Sequence, residues 1–185
     1  MEMAGLLASL EASALATGIR NSLYLFPLIE SVHVLGLTMV FGTIVIVDLR
    51  LLGLASTRRP FSAVASDVLK WTWRAFAVTA TTGLLMFTTN AGTYYHNGYF
   101  RAKMALLVLS AINTLAFELT VKRSVRSWDR NAAAPAAGRT VAALSLVLWI
   151  GVIFLGRWVG FSSASAPAPT DTDIKIENLE NLVPK

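Results

Sequence analysis

The sequence predicts an all-α fold, an integral membrane four-helix bundle with an amino-terminal interfacial helix and a flexible carboxy-terminal tail. Three observations predict it. The 185 residues are 55% hydrophobic and 15% charged, where a soluble domain carries about 45–50% and 25%. The apolar residues gather into four runs, each near the roughly 20 residues that a helix needs to cross a bilayer core. Lys and Arg collect at the ends of those runs, as membrane topology requires. A mean hydropathy of +0.58 excludes a disordered chain. The absence of cysteine excludes disulfides, thiolate zinc, iron–sulfur clusters and c-type haem attachment. The net charge of +5 is explained by the membrane flanks, so no nucleic-acid partner is expected.

Residues 1–20 read as an amphipathic interfacial segment, 21–161 as the bundle and 162–185 as a polar acidic tail. In the first of these, Leu6, Leu7 and Leu10 fall at helical spacing beside Glu11. The stretch is too short to span and lacks the basic start of a signal peptide. Spanning helices are expected near 23–53, 68–91, 99–123 and 139–161. Arg50, Arg58, Arg59, Lys70 and Arg74 cluster around the first loop, and Lys122, Arg123, Arg126, Arg130 and Arg139 around the third. The Lys/Arg rule then makes loops one and three cytoplasmic and puts both termini outside. The tail opens on Ser-Ala-Pro linker composition. It continues with Asp171, Asp173, Glu177 and Glu180 among Ile174, Ile176, Leu179, Leu182 and Val183. It reads either as a solvated tail or as a docking segment for another membrane or periplasmic protein.

Ionisable groups inside spanning helices are costly and face protein or water. Glu30 and His33 lie three apart, on one face of helix one. A rise of about 1.5 Å per residue puts Arg157, near the end of helix four, and Lys103, at the start of helix three, at a depth similar to that of Glu30. A Glu30–Arg157 ion pair joining helices one and four is therefore expected. The other reading is a polar pocket with His33 at its base. His33 with His96, or with Met86 or Met104, would supply ligands to haem b or, by ligand softness, to copper. Asp48, beside Arg50 at the other mouth of helix one, is expected to pair with Arg74, Arg139 or Lys122. Glu118 precedes Lys122 by four, a favourable helix pair. Asn113 is expected to bond across to another helix, with Thr79, Thr81, Thr82 and Ser145 as candidate partners. No HExxH, GxSxG, phosphate loop or CxxC occurs, so no catalytic residue is assigned.

Three stretches carry a resemblance: Glu30-Ser-Val-His33-Val-Leu-Gly36 running on to Asp48-Leu-Arg50-Leu-Leu-Gly53; Phe100-Arg-Ala-Lys103-Met with Asn113; and Ser145 through Trp149 to Gly156-Arg157-Trp158. They resemble an uncharacterised family of small bacterial four-helix inner-membrane proteins, over roughly residues 20–161. More distantly the layout is similar to cytochrome b561-like and copper-resistance D-like membrane bundles. Where the family has a His after the Asn-x-x-x-Phe stretch, this chain has Glu118, which removes a haem ligand from helix three. The resemblance implies a bacterial inner-membrane protein with no settled activity. The function expected is a non-catalytic accessory or partner-binding subunit with a polar cluster in the outer half of the bundle. The alternatives are a b-type haem electron carrier using His33 and a small-ion or copper-handling protein.

Overall fold

The computed structural model describes residues 2–131 and 133–164. The tail from residue 165, with its linker and docking readings, lies outside the described residues. Eight α-helices form the fold: α1 (Glu2–Glu11), α2 (Ala14–Asn21), α3 (Leu25–Leu52), α4 (Phe61–Thr89), α5 (Ala91–His96), α6 (Gly98–Ala116), α7 (Val125–Trp128) and α8 (Ala136–Ala164). A π-helical turn (Phe117–Val121) and a 3-10 turn (Lys122–Ser124) continue α6 into α7. The packing is carried by α3 against α4, α6 against α8, and α3 against α8.

Three helices are long and apolar enough to cross a membrane: Leu25–Leu52, Gly98–Trp128 and Ala136–Ser162, with hydropathies of 2.1, 1.8 and 2.0. The fourth expected span, α4, is not among them. It is 29 residues long but carries Asp67, Lys70, Arg74 and a threonine-rich second half. Those threonines are less polar in place than in composition. Thr81 and Thr82 return their hydroxyls to the carbonyls of Ala77 and Val78 at 2.9 and 2.8 Å. A hydroxyl bonded back to its own helix presents mainly its methyl group outward.

Helix ends follow local chemistry. Gly53 closes α3 at φ 77°, a left-handed conformation that suits glycine. There Leu54 N–H bonds Leu49 O at 2.9 Å. The start of α4 at Phe61, seven residues ahead of the expected 68, has a tertiary cause. Asp129 O accepts from Phe61 N–H at 2.9 Å. The Asp129 carboxylate accepts from the Ser62 N–H at 2.7 Å and from its hydroxyl at 2.8 Å. Asn97 caps α6, its side-chain oxygen taking the N–H groups of Tyr99 and Phe100.

The amino-terminal segment, expected as one interfacial helix, is two. Ser13 caps α2 by accepting from Ala16 N–H at 3.2 Å. Both helices pack on the corner between α4 and α5. Arg20 donates to Thr89 O at 2.9 Å, and Glu11 accepts from Gly92 N–H at 2.8 Å. Charged groups of the segment thus cap the backbone where α4 turns into α5.

Small residues let the long helices approach closely. A Cβ at Gly36 would stand 2.5 Å from Thr79 Oγ1, so α3 crosses α4 there with no room for a methyl. A Cβ at Gly151 would stand 2.7 Å from Leu106 Cδ1, which locates the α6–α8 crossing. Between these crossings lies one apolar layer of Val40, Ala75, Trp149 and Val152. A second cluster, with Leu51, Phe61, Val121 and Trp128 at its centre, fills the end of the bundle that holds the α3–α4 loop. That end is called the Arg50 end below, and the opposite one the α5 end.

Candidate functional site

Polar side chains enter the bundle at two levels, one on each side of the apolar layer. At the α5 end His33 stands half-buried on α3. Its Nδ1 lies 3.0 Å from Thr79 O and 3.1 Å from Thr82 Oγ1, both on α4. A carbonyl only accepts, so Nδ1 carries a proton, and in the neutral ring Nε2 then holds the lone pair. The ring fits because residue 83 is glycine: a Cβ there would lie 3.0 Å from His33 Cε1. Thr79, Thr82 and Gly83 are spaced three and four apart, so one face of α4 cradles the imidazole.

Lys103 of α6 reaches the same level from the other side. Its stem runs along α8, with Nζ 3.5 Å from where a Cβ of Gly156 would be. The ammonium makes no ion pair or hydrogen bond among the described residues. Lys103 and Glu30 both act electrostatically on His33. Glu30 is exposed one turn from His33, on the α5 side. Tyr94 on α5 stacks with Phe87 and Phe100, at centroid distances of 6.3 and 5.6 Å. Burial pushes its phenol above the ordinary value, and the Glu30 carboxylate pushes it further.

The expected Glu30–Arg157 pair is not formed. Arg157 is exposed and lies over the ring of Phe161, one turn on, at 4.9 Å. Depth along the helices matched, but direction around α8 did not. Gly156 and Val159 face the bundle, and Arg157 points away from it.

The other candidate ligands do not gather at His33. His96 is exposed on α5, with Nδ1 bonded to Gly92 O at 2.8 Å. Met104 is exposed beside the inward-facing Lys103, and Met86 is half-buried one turn beyond Gly83. Among the described residues, no three His, Cys, Asp or Glu side chains come together as a metal would need.

At the Arg50 end the surprise is Arg50 itself. It is 0% exposed, the largest fully buried side chain. Its Nε donates to Arg59 O at 3.0 Å, and Nη2 to Asp129 O at 3.2 Å and Asn131 O at 3.0 Å. One guanidinium therefore ties the α3–α4 loop to the connection before α8. Asp48, 6% exposed, forms no ion pair with Arg74, Arg139 or Lys122, contrary to expectation. Arg74 lies over the Trp71 ring at 5.1 Å. Lys122 pairs with Glu118 at 2.7 Å. Ser145 of α8 is the polar group set against Asp48, and Asp48 Oδ2 has no hydrogen-bond partner among the described residues. Asn113 does bond across helices, but to the backbone: its Nδ2 donates to Val141 O at 3.1 Å. Thr79 and Thr82, weighed as its partners, serve His33 instead.

Sequence reasoning missed the His33 cradle and the Arg50 staple. The cradle had a faint signal in Thr79, Thr82 and Gly83 repeating on one helical face. The staple had only the position of Arg50 inside the run Val47-Asp48-Leu49-Arg50-Leu51-Leu52, with apolar residues on both sides.

Residues 18–162 match the family of unknown function DUF6644. The chain belongs to this family. The match spans α3 through α8 and leaves out α1, so both polar levels are parts of the family's domain. No curated protein and no solved structure matches the chain.

Proposed function

We propose that this DUF6644 chain is a four-span protein of a bacterial inner membrane, acting as a non-catalytic accessory subunit that binds its partner through the α5 end. In this reading α4 is the fourth span. Its 29 residues would extend over about 44 Å at the rise of an α-helix, ample for a hydrocarbon core of about 30 Å. Both termini lie outside and the arginine-rich connections inside, following the Lys/Arg asymmetry.

The observation that carries the reading is that Glu30, Lys103 and Arg157 engage no acidic or basic partner among the described residues. Charged groups held near apolar surface are commonly met by complementary groups of a partner. The small-ion alternative finds little support, because the layer of Val40, Ala75, Trp149 and Val152 separates His33 from Asp48.

A b-type haem carrier is the second reading, and one feature favours it. A ligating imidazole usually donates its other N–H to a backbone carbonyl, which fixes the tautomer, and His33 does so toward Thr79. The absorption spectrum and elemental analysis of the purified chain decide between the two. A colourless, metal-free preparation is expected. A Soret band that His33→Ala abolishes would overturn the accessory reading in favour of haem, and stoichiometric copper would overturn it in favour of metal handling.

A further inference from the structure

Two open surface depressions lie towards the Arg50 end, and neither belongs to the His33 site. The first, about 300 Å³, is lined by Arg58, Arg59, Pro60 and Arg130. The second, also about 300 Å³, is a groove between α3 and α4 lined by Met39, Thr43, Ile46, Asp67, Val68 and Trp71. They are joined by an ion pair. Arg59, from the first, holds Asp67, from the second, at 2.7 Å.

We propose that this pair of cavities binds an anionic phospholipid, its phosphate among Arg58, Arg59 and Arg130 and an acyl chain along the apolar groove. The arginine pocket is a built site rather than a chance grouping. Its arms come from two connections far apart in sequence, and the buried Arg50 guanidinium pins both. It bonds the backbone of Arg59 on one arm and of Asp129 and Asn131, which flank Arg130, on the other. Asp129 secures the same junction through the Phe61 and Ser62 amides.

The backbones on both arms are thereby fixed, and three exposed arginine side chains line one space between them, where an anion would meet all three. Arg58 and Arg130 form no ion pair among the described residues; the Asp129 carboxylate acts on Arg130 electrostatically but is hydrogen-bonded to Ser62. The groove supplies what a free anion would not use. Thr72 donates to Thr43 Oγ1 at 2.9 Å and Thr43 donates to backbone carbonyls of its own helix, so the hydroxyls in and beside the groove are already engaged. Trp71 and Met39 present exposed apolar surface to its occupant. A basic pocket opening onto an apolar groove, beside helices able to span a bilayer, matches an anionic lipid in both charge and polarity.

The test uses the full chain purified in detergent, with melting temperature and native mass spectrometry as readouts. Phosphatidylglycerol is titrated against phosphatidylcholine and inorganic phosphate. Phosphatidylglycerol should raise the melting temperature saturably and remain bound, while the other two do neither. Arg58→Gln/Arg130→Gln should weaken that binding about 30-fold, near a factor of five for each basic residue lost at a lipid surface. Val68→Trp, which fills the groove and leaves the arginines in place, should weaken it as well. Arg101→Glu, at an exposed residue of the α5 end, shifts the net charge by the same two units and should leave it unchanged. Equal stabilisation by phosphatidylcholine would overturn the proposal, since the arginines would then be irrelevant. Stabilisation by phosphate alone would make this a free-anion site, and an unaffected Val68→Trp would remove the acyl groove. Equal weakening by Arg101→Glu would reduce the effect to diffuse charge.

Discussion

Arg50 and Arg157 both interrupt apolar helices, and their fates differ completely. Arg50 is fully buried and donates to backbone carbonyls on two separate connections. Arg157 is exposed and rests on a ring of its own helix. The ends of the bundle that hold them differ in the same way. At the Arg50 end, loops are tied together by bonds reaching 79 and 81 residues along the chain. At the α5 end, the amino-terminal helices cap the backbone, while Glu30 and Lys103 form no ion pair among the described residues. The difference teaches that a charge in an apolar helix becomes structural when peptide carbonyls surround it. A carboxylate at matching depth is not enough.

Four experiments would break or sharpen that contrast. The largest effect belongs to Arg50→Met. Hydrogen bonds to a charged group are worth about 1.5–3 kcal/mol each, and buried carbonyls left without donors add a penalty. A loss of at least about 3 kcal/mol is expected in denaturant unfolding of the detergent-solubilised protein. Arg50→Lys should recover little, because one ammonium cannot reproduce the planar fork of donors. A stability close to wild type for either variant would refute the staple.

Gly36→Ala comes next, with a loss of about 1–3 kcal/mol from overpacking. Its methyl would meet Thr79 Oγ1, and that hydroxyl has no hydrogen-bond partner among the described residues. Adding Thr79→Ala should therefore rescue the variant, since the His33 bond uses the Thr79 carbonyl and not its side chain. A double variant no better than the single one would place the close approach elsewhere.

A smaller effect concerns pH. The Ser62 amide bonded to Asp129 holds its carboxyl below the ordinary value. A group depressed in the folded state adds stability that is full above its unfolded pKa, about 3.9, and is lost as pH falls through the folded one. Wild type and Asp129→Asn should thus differ in melting temperature at pH 6, and the gap should narrow steadily as the pH falls below 4. A gap that does not narrow at all on acidification would mean that the charge of Asp129 is not what caps α4.

The smallest effect is the most diagnostic of the α5 end. Glu30→Gln and Arg157→Met, alone or together, should change stability by no more than about 0.5 kcal/mol, as surface substitutions do. A loss of several kcal/mol in each single variant, recovered in the double, would restore the ion pair that the structure lacks.

Much of the architecture was legible in composition and periodicity. The runs of α3, α6 and α8 announce themselves because a bilayer imposes both length and apolarity on one contiguous segment. The stop at Gly53 and the Glu118–Lys122 pair are equally local. What failed was long-range or angular. Depth can be counted at a fixed rise per residue, which placed Glu30 and Arg157 level with each other. Each step along a helix also turns by about 100°, and that rotation separates Arg157 from Gly156. The partners of Arg50 were invisible because backbone carbonyls carry no sequence identity. Asp129 as the cap of α4 could not be read from the residues around Phe61.

The Arg50 staple also bears on how the chain is made. Among the described residues its farthest acceptor, Asn131 O, follows it by 81 residues. At about 5–20 residues per second on the ribosome, α3 waits roughly 4–16 seconds with its guanidinium only partly satisfied, by Arg59 O nine residues on. During that interval the segment is an incomplete membrane helix, best kept at the translocon or under a chaperone. The clasp closes only when the stretch leading into α8 has emerged, so assembly of this end is a late and concerted event in biogenesis.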